Sequence, residues 1–237
     1  MKCSAERLIE AIIGIELAQQ RKMTEEKAEK ARKASYVVTV SRSYGSLGGR
    51  VAGALAELLG VRCCDRVILE EVARRADVDI GLLNKLDENV RLFKAEPWKV
   101  FFTGKSYPKE RYLHHLVKVV LNISGKGGVI LGRGAHMILG PSRAFRIRVV
   151  GTRDVCARRI AERDQLDLKA ARRLVKTVNH QRDEYMKQLY GADIDDCSNY
   201  DLAINSDRFD VPQMVELVLQ GMRRAGYDIP DKIMQVA

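Results

Sequence analysis

A continuous apolar and β-branched run, Tyr36–Ser41 (YVVTVS), leads directly into Arg42-Ser-Tyr-Gly-Ser-Leu-Gly-Gly-Arg50, and helix periodicity sets in at Val51. Few folds accept that order. A strand that is apolar on both faces must be covered on both faces, which is the habit of parallel strands flanked by helices. The glycines let the backbone take positive φ and approach a ligand with no Cβ in the way. The helix beginning near Gly48 turns its unpaired N–H groups and its positive dipole end on the same spot. Strand, glycine turn and helix together make an anion nest suited to a nucleotide's phosphates. The alternative at this stage is a tight turn whose glycines serve packing alone.

The rest of the chain continues the alternation. Val51–Leu59 reads as a helix stopped at Gly60, Val61–Cys64 as a short strand and Arg66–Ala76 as a helix. Residues 77–108 are irregular and hold Phe93, Trp98, Phe101, Phe102 and Tyr107, read as packing for an insertion rather than a base-stacking platform. Lys109–Ser124 is a helix, residues 125–128 a turn, and Val129–Leu131 a strand ending in Gly132-Arg133-Gly134. A strand over Ala144–Val150 and a helix over Thr152–Asp164 follow. Leu168–Tyr190 is a long amphipathic helix with Asp167 as its N-cap. Tyr200–Asn205 is the last strand, and Val211–Ala225 the closing helix, opened by Asp210 and Pro212 and stopped by Gly226. Residues 1–34 read as a helical arm, either packed on the flank of the domain or held out for a partner. In a parallel sheet ligands bind beyond the carboxyl ends of the strands, which puts Arg42–Arg50 and Gly132–Gly134 on one rim.

Charge narrows the partners. The 237 residues carry a formal +10, with the basic excess peaking over Arg143–Arg182, and so call for an anion-facing region. No run approaches the ~20 apolar residues that cross a bilayer, and no signal-peptide core is present. The five cysteines lack C-x-x-C spacing, so they read as reduced thiols in a cytoplasmic setting and build no metal site. No helix-turn-helix or RNA-binding signature accompanies the charge, so a small nucleotide is the expected partner rather than nucleic acid. The chain would act as a monomer or homodimer.

The turn departs from the phosphate-loop pattern G-x-x-x-x-G-K-[ST]. Laid on strand and helix, the first glycine position falls on Arg42, and the lysine and hydroxyl positions fall among Gly48, Gly49 and Arg50. Arg42 or Arg50 would have to supply the lysine's charge, and Ser46 is the hydroxyl in the loop. The candidate phosphate-binding set is therefore Arg42, Gly45, Ser46, Leu47, Gly48, Gly49 and Arg50. Arg133, at a strand's carboxyl end, suits a phosphate held as a bidentate fork, or else a surface ion pair. Asp65 would orient a ligand's hydroxyls or Mg²⁺, or cap a helix at Arg66. Arg159 and Arg163 share a helix face, and with Arg182 they are the arginines placed to stabilise phosphate charge, with Asp183 as a supporting carboxylate. Arg172 and Arg173 read as solvated.

These segments resemble the cytidylate kinase-like family. Val38–Ala52 and Leu55–Gly60 are similar to its S-R-x-Y-G-S-G-G-R-x-I-A and L-A-x-x-L-G segments, and Asp65 matches the aspartate that follows. Val129–Leu139, Phe145–Arg159, Gln181–Tyr185 and Tyr200–Asn205 resemble later segments, in order and at similar spacing, over roughly residues 36–225. The resemblance implies an α/β, P-loop kinase-type parallel sheet with helices on both faces, a helical insertion and lid, and the N-terminal arm outside it. In residue terms, 35–237 would be the domain, 77–124 the monophosphate-binding insertion and 160–192 the lid. It implies transfer of the ATP γ-phosphoryl group to CMP or dCMP with Mg²⁺. The Gly-Arg-Asp of authentic CMP kinases is Gly132-Arg133-Gly134 here, and no lysine follows the turn, so a catalytically weak nucleotide-binding regulator of the same fold stands as the alternative.

Overall fold

The computed structural model describes residues 4–24, 36–65, 68 and 109–234. The readings of a helix over 66–76 and of an irregular insertion over 77–108 lie outside the described residues, apart from Ile68, which is buried. The described helices are α1 (Ser4–Thr24), α2 (Gly48–Leu58), α3 (Lys109–Ser124), α4 (Ala135–Leu139), α5 (Arg153–Asp164), α6 (Leu168–Tyr190), α7 (Val211–Arg224) and α8 (Asp231–Met234). The strands are β1 (Val37–Arg42), β2 (Cys63–Cys64), β3 (Gly128–Leu131), β4 (Phe145–Val150) and β5 (Leu202–Asn205).

The strands form one parallel sheet in the order β2-β3-β1-β4-β5. β1 lies at its centre. The chain leaves β1 for one side of the sheet and later crosses to the other, so the ends of β1, β3 and β4 meet at a switch of direction. Register carries this through: Val40 stands beside Leu131, and Arg42 beside Val149.

Each face of the sheet has its own core. Val38 and Val40 of β1, with Val129, Leu131, Ile147 and Val149, pack under Val51 and Leu55 of α2 and Met214 and Val218 of α7. Burying one such Val or Leu side chain contributes about 1.5–3 kcal/mol, so this layer sets where α2, and the turn before it, must sit. On the opposite face Val37 and Ile130 join Leu113 and Leu116 of α3, Ile138 of α4 and Leu189 and Tyr190 of α6. Ile9, Ile12 and Ile13 of α1 belong to the same cluster, and Glu16 pairs with Lys118 of α3 at 2.9 Å. Ser4–Thr24 is thus a helix packed on the flank. A third, smaller cluster of Cys156, Ala157, Ile160, Ala171 and Val175 joins α5 to α6.

Local signals placed most boundaries. Asp167 caps α6 by accepting from the Ala170 N–H at 2.9 Å, and Asp210 opens α7 in a capping box with Gln213. α2 starts at Gly48, as the glycine turn implied, whereas α4 and α8 are too short to carry a periodic signal.

The second face of the sheet is not uniformly apolar. Arg148 is 6% exposed. It donates to Ser41 Oγ at 3.0 Å and to Asp195 at 2.5 Å, and its guanidinium lies 5.8 Å from the Tyr200 ring. His136 stacks on Tyr200 with ring centres 4.8 Å apart, and its Nε2 is buried with no hydrogen-bond partner among the described residues. Burial, then the positive Arg148 and Arg146, push its pKa down to about 3. An unfolded histidine titrates near 6.5, so the unfolded chain binds a proton that the folded one refuses between those values. The stability from the neutral ring is whole above about pH 6.5 and is lost as pH falls toward 3, at about 1.4 kcal/mol per pH unit. Urea midpoints at pH 7 and pH 5 should show the native chain losing about 2 kcal/mol more than His136→Phe.

Candidate functional site

Ser43–Leu47 forms the turn between β1 and α2, and each position in it is set by a contact. Ser43 N–H continues the sheet by donating to the Val149 carbonyl at 3.0 Å. Ser46 Oγ is buried and donates to the carbonyls of Ser43 and Val149, both at 2.9 Å. Its hydroxyl therefore fastens the turn to β4. Leu47 takes φ 65 at the N-cap of α2 and offers no side-chain cap, while its side chain packs on the α2 core. Among the described residues the amides of Gly48 and Gly49 find no hydrogen-bond acceptor, which leaves the positive end of an 11-residue helix open.

Two glycines here are obligatory. A Cβ on Gly48 would lie 2.5 Å from the Cβ of Arg42. Gly45 has φ +84, and a Cβ there would lie 2.7 Å from the Cys156 carbonyl oxygen. Gly45→Ala is expected to cost about 2 kcal/mol or more, from left-handed strain and displaced α5 backbone, read as a lower denaturant midpoint. Gly49→Ala is the contrast, since its Cβ would meet only Leu131 at 3.9 Å.

Three arginines from distant segments gather at this rim. Arg42, at the end of β1, lays its guanidinium against Gly132 and lies 3.9 Å from Asp65. Arg182, on α6, donates to the Arg42 carbonyl at 2.8 Å. Arg133 follows β3. Burial first, then the positive Arg42 and, more weakly, Arg133, pull the Arg182 pKa well below its ordinary value, while Tyr44 and Asp65 act the other way. Like charges crowded in this way destabilise the empty protein and favour an anion placed among them.

Tyr44 gathers a second group. Its N–H donates to Asn179 Oδ1 of α6 at 2.8 Å. Arg163 donates to its hydroxyl at 2.8 Å, and the guanidiniums of Arg163 and Arg182 lie 5.4 and 5.7 Å from its ring centre. Arg163 also makes a two-pronged contact with Asp164 at 2.8 Å, and that bond, ahead of Tyr44, raises its pKa.

The remaining candidates divide. Arg159 holds the end of β5 through Ser206, at 2.6 and 2.9 Å, and reaches the Gly45 carbonyl at 3.4 Å. It braces the glycine turn against the sheet. Arg50 is exposed on the first turn of α2. Asp183 lies near Asp195 and Arg148, and burial, then Asp195, raises its pKa. Arg172 pairs with Asp154 at 2.9 Å, tying α5 to α6. Sequence reasoning did not single out Tyr44, Asn179, Arg148 or Tyr190. Asn179 stands one helical turn before Arg182, a spacing that places both on one face of α6.

The chain is similar to known proteins. The cytidylate kinase of Thermoplasma acidophilum is 24% identical over 180 residues, spanning 75% of this chain and 87% of that protein. The cytidylate kinase of Aeropyrum pernix is 29% identical over 109 residues, 45% of this chain and 62% of that protein. A crystal structure of an uncharacterized protein from Eubacterium ventriosum has the same fold, with a TM-score of 0.60 at 21% identity, over 79% of this chain and 98% of that one. Residues 37–208, the stretch that carries every described strand, the glycine turn and the three arginines, match the model of the cytidylate kinase-like family, and the chain belongs to that family.

Proposed function

We propose that this protein transfers the γ-phosphoryl group of ATP to a nucleoside monophosphate, with CMP or dCMP as acceptor. The observation that carries the reading is the convergence of Arg42, Arg133 and Arg182 beside the open N-terminus of α2. Phosphoryl transfer asks mainly for positioning and for positive charge around the transferring group. The Gly48 and Gly49 amides and the α2 dipole would receive the donor polyphosphate. Arg42 and Arg182 would supply the charge that a lysine brings in the standard pattern, as two guanidinium forks. Arg133 would hold the acceptor phosphate, and Asp65, across from Arg42, would orient the acceptor or its metal. Mg²⁺, entering with ATP, would neutralise charge between the β- and γ-phosphates. Arg163 and Tyr44 would close the α5–α6 hairpin over the turn, since among the described residues a small cluster at Cys156–Val175 packs that hairpin's near end. Met186, Leu189 and Tyr190 are core residues, so the moving part would end before them.

The fold and the site also suit a nucleotide-binding regulator, and the inward Ser46 hydroxyl together with the missing lysine favours that second reading. A coupled ADP-release assay across CMP, dCMP, UMP and AMP separates the two. Turnover with CMP or dCMP supports the kinase. Calorimetric binding of ATP without turnover on any acceptor supports the regulator, and no binding of ATP, ADP or CMP at millimolar ligand ends both.

A further inference from the structure

We propose that Tyr190 is a positioning residue for acceptor recognition, its phenol holding the Arg133 backbone so that the guanidinium faces the monophosphate. The proposal rests on the kinase reading above.

Gly132, Arg133 and Gly134 take φ 78, 57 and 65 in succession. Glycine adopts that region without penalty, but arginine there costs roughly 1 kcal/mol or more, and such a conformation persists only where the surroundings enforce it. The Gly132 N–H donates to the Val40 carbonyl at 2.9 Å, which anchors the turn to β1 on its sheet side. On the other side the Tyr190 hydroxyl donates to the Arg133 carbonyl at 2.7 Å. The ring itself occupies the space that a Cβ on Gly134 would need. Gly134 is therefore part of the same device: it admits the tyrosine that holds its neighbour.

Tyr190 has little freedom to move. It is 2% exposed, its ring centre is 6.3 Å from that of Tyr185, and the Tyr185 hydroxyl meets the Tyr112 hydroxyl at 3.2 Å. Burial, then Tyr112, holds its pKa well above the ordinary phenol value, so the hydroxyl stays protonated and remains a donor. Tyr190 closes the same helix, α6, whose Asn179 and Arg182 hold the glycine turn through the Tyr44 amide and the Arg42 carbonyl. The one helix thus contacts both phosphate-facing turns, through grip points at Asn179, Arg182 and Tyr190 spread over about 16 Å of its axis at 1.5 Å per residue. Acceptor affinity should then depend on a hydroxyl that touches no substrate.

Tyr190→Phe tests this, because the ring keeps its packing and only the hydrogen bond goes. With CMP or dCMP as acceptor, KM for the monophosphate should rise about five- to tenfold, while KM for ATP stays within about twofold. The melting temperature should change by only a few degrees. Gly134→Val is the second variant. Its side chain would push the Tyr190 ring off the turn, and it should raise the acceptor KM in the same way. An unchanged acceptor KM in Tyr190→Phe overturns the proposal, as do KM values for ATP and acceptor that rise together with a large fall in melting temperature. If Arg133→Ala weakens the acceptor and Tyr190→Phe does not, the positioning role fails and the kinase reading stands. If the native chain turns over no monophosphate, both fail.

Discussion

Arg133→Ala is expected to lower kcat/KM for the monophosphate acceptor by about 10- to 100-fold, with ATP binding held within about twofold. A guanidinium fork on a phosphate makes two charge-assisted hydrogen bonds, and each is worth roughly 1.5–3 kcal/mol where the partner is charged. Part of that is returned as water reaches the vacated space, which brings the effect below the sum, to about 1.4–2.7 kcal/mol. Arg133→Lys should recover little, since a single ammonium cannot reproduce the planar fork. The measurement is steady-state kinetics with acceptor and ATP varied in turn. A loss shared equally between the two substrates would put Arg133 on the donor phosphates instead.

Arg182→Ala is expected to act on the chemical step, lowering kcat about 100-fold. Arg182 feels the positive charge of Arg42 and, more weakly, of Arg133, and grips the Arg42 carbonyl at the start of the glycine turn. Its loss removes charge from the place where charge develops during transfer and loosens the turn that receives the donor. Stability should respond differently. In the empty protein Arg182 is desolvated and repelled by Arg42 and Arg133, so its removal relieves one cost while forfeiting a hydrogen bond. The denaturant midpoint should therefore shift by no more than about 1 kcal/mol in either direction. Activity falling steeply without a matching loss of stability is the signature of a strained ligand site. A stability loss of several kcal/mol would make Arg182 a structural brace.

Each residue's role is set over a characteristic range of sequence. The long helix ending at Tyr190 and its cap at Asp167 could be read to the residue, because periodicity and capping depend on neighbours three or four positions away. The same holds for the central strand leading into glycines and an open helix end, which is enough to forecast a parallel sheet with an anion nest on its carboxyl rim. The segment order is similarly local, and it sufficed to point to the cytidylate kinase-like family.

Which side chains face that nest was decided elsewhere. Ser46 sits in the turn, as its position requires, but the Val149 carbonyl, 103 residues away, takes its hydroxyl. Arg159 and Arg163 share a helix face in sequence, yet Ser206 and Gly45 hold the first while Tyr44 and Asp164 hold the second. Arg148 alternates with Arg146 along a strand, and only Ser41 and Tyr200 behind it, with Asp195, explain why one is buried. Tyr190 reads as an ordinary core position until Arg133, 57 residues earlier, is seen to need a donor. Local backbone preferences write the elements into the chain. The partner of a polar side chain depends on contacts between segments 50 to 140 residues apart, which no short window of sequence contains.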